Sequence, residues 1–177
     1  PDHSSPPNAD DDEWSGAVTP ILPQLCVPAD KPERVRCAGL PGTDLFLQGP
    51  EEGRSVSLGR TNGFFPPSPV PTTLSRSATW RILGTRAVAA IVFYGLAEGD
   101  DRGIFAVVKA GSPEHEGCLV ALVPTAKVDR EEAAERATRL ADEKTVGFRC
   151  GTDQASIESD GREGLALDVA RRWLKAP

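Results

Sequence analysis

The chain has no methionine, a single tyrosine and two histidines, and nowhere does it stay apolar long enough to cross a bilayer as a helix. Its longest apolar stretch, Ala87 to Leu96, is interrupted by Gly95 and has the length of a strand. Basic runs and basic stripes are missing as well. A formal net charge of −6 therefore argues against general affinity for nucleic acid or for an anionic membrane. The scarcity of histidine removes the side chain most used for proton transfer near neutral pH, since His3 lies in a polar leader and His115 in a loop. No glycine-rich phosphate loop, dinucleotide fingerprint, calcium loop or glycosylation acceptor occurs. The paired acids Glu51-Glu52, Asp100-Asp101 and Glu131-Glu132 are adjacent in sequence, so on a strand or helix they point apart and read as solvated charge.

What the chain does carry is four cysteines, Cys26, Cys37, Cys118 and Cys150. No two of them stand at the close spacing of a zinc knuckle, and no Cys-x-x-Cys occurs, so the pattern suits neither a tetrahedral metal site nor a thiol redox motif. An even number in two separated sets suits two disulfides, which predicts an oxidising compartment, periplasmic or extracellular. Four cysteines allow three connectivities; the sequence favours Cys26 with Cys37 and Cys118 with Cys150. Each closure would contribute roughly 2–4 kcal/mol, mainly by restricting the unfolded chain.

At 177 residues the chain is most simply a flexible acidic leader over 1–13 followed by a single domain over 14–177. Starting at Pro1 without a methionine, it reads as a processed chain whose signal peptide has been removed, and a lipid anchor ahead of the leader is compatible with that composition. From Trp14 to Gly59 short apolar pieces alternate with Pro and Gly: Val18 to Leu25, Arg34 to Cys37, Asp44 to Gln48 and Ser55 to Leu58, the last two forming a hairpin with a wide turn. Residues 61–73 carry four prolines and predict a loop outside any ladder. Ala78 to Leu83, Ala87 to Leu96, Gly103 to Lys109 and Gly117 to Val123 predict a four-stranded antiparallel meander, with near-continuous apolarity marking central strands covered on both faces.

A helix is predicted over 129–144, with Asp129 as N-cap, Glu132 in capping-box position, and Ala133, Ala137, Leu140, Ala141 and Lys144 on the helical period. Gly151 to Gly164 read as polar turns. Leu165, Val169 and Trp173 set the period of a terminal helix. The fold class is thus α+β: an antiparallel sheet covered by one main helix, a C-terminal helix and two disulfides.

Candidate chemistry is sparse. Ser55-Val56-Ser57-Leu58-Gly59 approaches a nucleophile elbow but has Ser55 where glycine is needed and a proline-rich loop where a helix should follow. Glu114-His115-Glu116-Gly117-Cys118, with Cys150, is the one local cluster of metal-ligand types; a solvated turn and a disulfide account for it better. Trp80 in Thr79-Trp80-Arg81-Ile82 reads as core, with Arg81 on the opposite face. Phe64 and Phe65 read as anchors of the proline-rich loop; together with Trp173 they are the candidate surface for a partner.

At Leu25-Cys26, Arg34-Val35-Arg36-Cys37-Ala38-Gly39-Leu40-Pro41-Gly42, Val56-Ser57-Leu58-Gly59, Thr79-Trp80-Arg81, Ala87 to Val92, Gly117-Cys118-Leu119-Val120-Ala121 and Phe148-Arg149-Cys150, the chain resembles a family of secreted hypothetical proteins common in alphaproteobacteria. The resemblance runs from Leu25 to Asp153, rests on cysteine and tryptophan placement, and breaks down around Asp44 to Arg54 and in the C-terminal tail. It implies export and the same cysteine pairing, and it brings no catalytic residue with it. The resulting expectation is a periplasmic or cell-envelope binding or accessory protein, inhibitor-like, without catalysis or cofactor, acting on an envelope protein or ligand. Its rivals are an envelope hydrolase using Ser55 or Ser57 with carboxylates and His115, and a structural subunit of an envelope complex.

Overall fold

Period-two alternation of apolar residues gives each central strand two faces to bury, and the fold is built around satisfying both. The computed structural model describes residues 13–61, 63–66, 71–96, 102–125, 130–159 and 164–175. Its strands are β1 (Trp14–Pro20), β2 (Val27–Pro28), β3 (Arg34–Leu40), β4 (Thr43–Gln48), β5 (Ser55–Leu58), β6 (Thr73–Leu74), β7 (Ser77–Leu83), β8 (Arg86–Gly95), β9 (Gly103–Lys109), β10 (Cys118–Thr125) and β11 (Ser156–Ile157). The helices are α1 (Arg130–Lys144) and α2 (Leu165–Lys175). Of the leader read over 1–13 only Glu13 is among the described residues, and the expected N-cap Asp129 also lies outside them.

Among the described residues the strands form two sheets. One has seven strands in the order β1-β7-β8-β9-β10-β11, with β6 paired to β8; the other has four, in the order β2-β3-β4-β5. The fold is α+β, with β7 to β10 forming the antiparallel meander, one main helix, a C-terminal helix and two disulfides. The N-terminal pieces make a sheet of their own because Leu45 and Leu47 of β4 and Val56 and Leu58 of β5 turn one apolar face toward the larger sheet.

On β8, Ala90, Val92 and Tyr94 face the smaller sheet and α2, while Ala89 and Ile91 face α1. On β9, Ile104, Ala106 and Val108 join the first group and Val107 the second. Fully burying one such Val, Leu or Ile side chain contributes roughly 1.5–3 kcal/mol. On β10 the register slips between Leu119 and Ala121, so two residues oppose one and both Val120 and Ala121 serve the α1 side. The small residues Ala133, Ala137 and Ala141, with Leu140, form the buried stripe of α1 and let its axis lie close to the sheet.

Three readings needed correction. The strand expected over Val18 to Leu25 starts at Trp14 and stops at Pro20, and Pro23–Leu25 form a short 3-10 turn, since Pro20 and Pro23 have no N–H for a longer ladder. The proline-rich stretch does contribute to ladders: Val56 and Phe65 exchange backbone hydrogen bonds of 2.8 and 2.9 Å, and Thr73–Leu74 pair with β8. Within the polar stretch after Gly151, Ser156–Ile157 add to β10 in parallel, with the Glu158 N–H donating to the Leu122 carbonyl at 2.9 Å.

Both cysteine pairs form as favoured. Cys26–Cys37 continues the antiparallel register of β2 and β3, in which Val27 faces Arg36. Cys118–Cys150 joins the start of β10 to the turn that follows α1, across a sequence separation of 32.

Candidate functional site

Five chain segments meet at one end of the larger sheet: the β3–β4 turn, the exit of β5, the β7–β8 turn, the β9–β10 loop and the segment leaving α1. Between them lies a cleft of about 960 Å³. Its floor is backbone packed on backbone. Gly59 has φ +75°, and a Cβ there would overlap the Gly111 carbonyl; a Cβ on Gly63 would likewise overlap that of Gly117. The Gly111 N–H donates to the Leu58 carbonyl at 2.8 Å, so the two sheets are joined directly beneath the cleft.

Four cations line this space: Arg60, Arg86, Lys109 and Arg149. Arg60 follows Gly59, and its Nη1 donates to the Ser112 carbonyl at 3.4 Å. Arg86 owes its direction to a register shift between β7 and β8. Ala89, opposite Arg81, packs in the α1-side cluster, but Ala87, opposite Ile82, packs against the other, so one residue of β8 is extra. That shift turns Arg86, the next residue along, to the same side as Lys109, whose partner across the ladder is Ala89. Among the described residues Arg86 pairs with no carboxylate.

Lys109 donates from Nζ to the Phe148 carbonyl at 2.5 Å, tying β9 to the α1 exit. Burial pulls its ammonium below the ordinary lysine range and repulsion from Arg86 pulls it further, against an opposing pull from Asp153. Arg149 is anchored twice to Asp153, by its N–H at 2.8 Å and by its guanidinium at 3.4 Å. The backbone N–H of Arg149 is the main reason the Asp153 carboxyl sits below the usual aspartate range.

The Glu114-His115-Glu116 stretch forms the outer lip. Ser112 and His115 close a tight turn, with Ser112 N–H donating to the His115 carbonyl at 2.8 Å and Ser112 Oγ accepting from the His115 N–H at 3.1 Å. The three side chains are exposed. Cys118 and Cys150 are joined to each other, and among the described residues no group of three or more metal-ligand side chains converges.

Neither serine of the elbow-like motif is set up as a nucleophile. Ser57 is buried, donates from Oγ to the Arg60 carbonyl and accepts from the Gly63 N–H at 3.3 Å. Ser55 Oγ donates to the Pro66 carbonyl at 2.8 Å. Both hydroxyls hold the loop that follows β5, and among the described residues neither is hydrogen-bonded to a histidine, lysine or carboxylate able to act as base.

The expected partner surface of Phe64, Phe65 and Trp173 does not exist as a surface. Phe65 and Trp173 are buried and meet edge to face at 5.3 Å, and Tyr94 packs on Trp173 at 5.4 Å. Their apolar bulk closes the core between the sheets and α2. Burial raises the Tyr94 phenol well above its ordinary range, and its O–H donates to the Phe65 carbonyl at 3.2 Å. Phe64 alone is half-buried, beneath the Arg34 guanidinium at 4.7 Å.

No family model, curated protein or solved structure matches the chain. The two disulfides are compatible with a secreted protein, and among the described residues no helix is long and apolar enough to cross a membrane. The cationic residues of the cleft escaped the sequence reading because no two are close in the chain. Each does stand beside a turn or a cysteine: Gly59-Arg60, Gly84-Thr85-Arg86, Lys109-Ala110-Gly111 and Arg149-Cys150. Turn-adjacent cations at one end of a meander were the available signal.

Proposed function

We propose that the protein is a binding or accessory module of a bacterial cell envelope, periplasmic or extracellular, which holds its ligand in the end cleft and performs no chemistry on it. One observation carries the reading: five chain segments converge on a cleft lined by four cations against two carboxylates, Glu114 and Glu116, on its exposed lip, and among the described residues no nucleophile there is in contact with a base. Export is supported by the two disulfides, and the resemblance to secreted alphaproteobacterial proteins points the same way. The hydrolase alternative loses support because Ser55 and Ser57 brace a loop. The structural-subunit alternative loses support because Phe65 and Trp173 are core.

The test is native mass spectrometry of protein purified from the envelope fraction under non-denaturing conditions. A bound species should be present and should leave when the cleft is altered by Val146→Glu. Turnover of an esterase or glycan substrate, abolished by Ser57→Ala in a folded variant, would replace this reading with the hydrolase.

A further inference from the structure

Building on that reading, we propose that the ligand is an amphiphilic anion, a carboxylate or phosphate head on an apolar body, with its head held by Arg86, Lys109 and Arg60. The chain as a whole is acidic, with a formal net charge of −6, so grouping Arg60, Arg86, Lys109 and Arg149 around one concavity makes a local reversal of sign. Arg149 is neutralised by Asp153, and Glu114 and Glu116 stand out on the exposed lip. Arg86 is left without a carboxylate among the described residues, and Lys109 uses one of its three donors on the Phe148 carbonyl.

The β7–β8 register shift is what brings Arg86 to the Lys109 side of the sheet. Burial is the main cause of the lowered basicity of Lys109, and repulsion from Arg86 adds to it; an anion between the two cations would relieve that repulsion. A guanidinium presents paired donors that match either a carboxylate or a phosphate.

The apolar part of the assignment comes from other residues of the same lining. Val146, 51% exposed, is among the few large apolar side chains left in water, and it lines the cleft, as do Phe148 and Pro113. An anion carried on a short apolar body would cover Val146 while its head reached the cations.

Calorimetric titration of the whole chain with octanoate, octyl phosphate and octanol tests the inference. Octanoate or octyl phosphate should bind at least about tenfold more tightly than octanol, and Arg86→Glu should weaken the anion by about tenfold or more while leaving octanol unchanged. Among the described residues the Arg86 side chain makes no hydrogen bond or ion pair, so the variant should keep its circular dichroism and melting temperature. The tighter of the two anions names the head group. Equal binding of octanol and both anions, unmoved by Arg86→Glu, overturns the anionic assignment while leaving the binding reading in place. Silence of all three probes, together with no bound species in native mass spectra of the envelope protein, overturns both.

Discussion

Arg81 and Asp142 grip each other through two parallel hydrogen bonds, Nε to Oδ1 and Nη2 to Oδ2, each 2.8 Å long. The pair ties β7 to α1 from the side of the sheet opposite Trp80, whose indole N–H donates to Thr19 Oγ1 at 2.7 Å. Both side chains are mostly shielded, with 15% and 23% of their surface exposed. Parallel, charge-assisted bonds in partial shelter are among the stronger polar contacts in proteins. Arg81→Ala or Asp142→Ala should each lower stability by about 1–3 kcal/mol in urea unfolding, and the double variant should cost much less than the sum of the two. Full additivity would show that the pair contributes nothing as a pair.

Gly42 and Gly59 separate two causes of strain. Both have positive φ, +83° and +75°, but a Cβ on Gly42 meets nothing within 4 Å whereas one on Gly59 runs into the Gly111 carbonyl. Gly42→Ala should therefore cost only the backbone conformation, about 1 kcal/mol. Gly59→Ala should cost about 1–3 kcal/mol more, through displacement of the β9–β10 loop. Equal costs in urea unfolding would mean that the packing beneath the cleft gives way freely.

Asp153 makes the α1 exit sensitive to acid. Its carboxyl lies below the usual aspartate range because the Arg149 N–H, and then the Arg149 charge, favour the ionised form over the burial that opposes it. A depressed carboxyl stabilises the fold above the unfolded-state value, and that contribution disappears as pH falls through the lower folded-state value. The Arg149 amide resonance should therefore titrate below the ordinary aspartate value, and Asp153→Asn should abolish that titration. A midpoint at or above the ordinary value would contradict the hydrogen-bonded geometry.

Trp173→Ala should cost about 3–5 kcal/mol, because it empties a core site shared with Phe65 and Tyr94. Phe64→Ala, which removes only a half-buried ring under Arg34, should stay within about 1 kcal/mol. Guanidinium unfolding of the two variants checks the contrast, and similar small losses would restore Trp173 as a surface residue.

The meander was legible because each of its strands carries enough β-branched and aromatic residues to establish its period, with Gly84-Thr85, Glu98-Gly99-Asp100-Asp101 and Gly111-Ser112-Pro113 marking the breaks in the sequence. The opposite facing of Trp80 and Arg81 followed from the same alternation. The cysteine pairs were legible because two close and two distant residues leave one economical arrangement. Other features depend on long-range geometry: Ser156–Ile157 is too short to show a period, and its parallel pairing is decided by where α1 delivers the chain. Nor does any local pattern reveal that one extra residue on β8 redirects Arg86. The partner of Arg81 lies 61 positions away on α1, beyond the reach of any motif.

The Cys118–Cys150 bond makes the chain between those residues a closed covalent ring that contains β10 and α1. A single peptide-bond cut anywhere inside the ring leaves both new ends on one molecule. The severed part remains at high effective concentration beside its docking site, so re-docking is a unimolecular event rather than a search through solution. The segment leaving α1, which lines the cleft, can thus be cut once without being shed, and after that single cut the severed end comes away only if a reductant opens the disulfide.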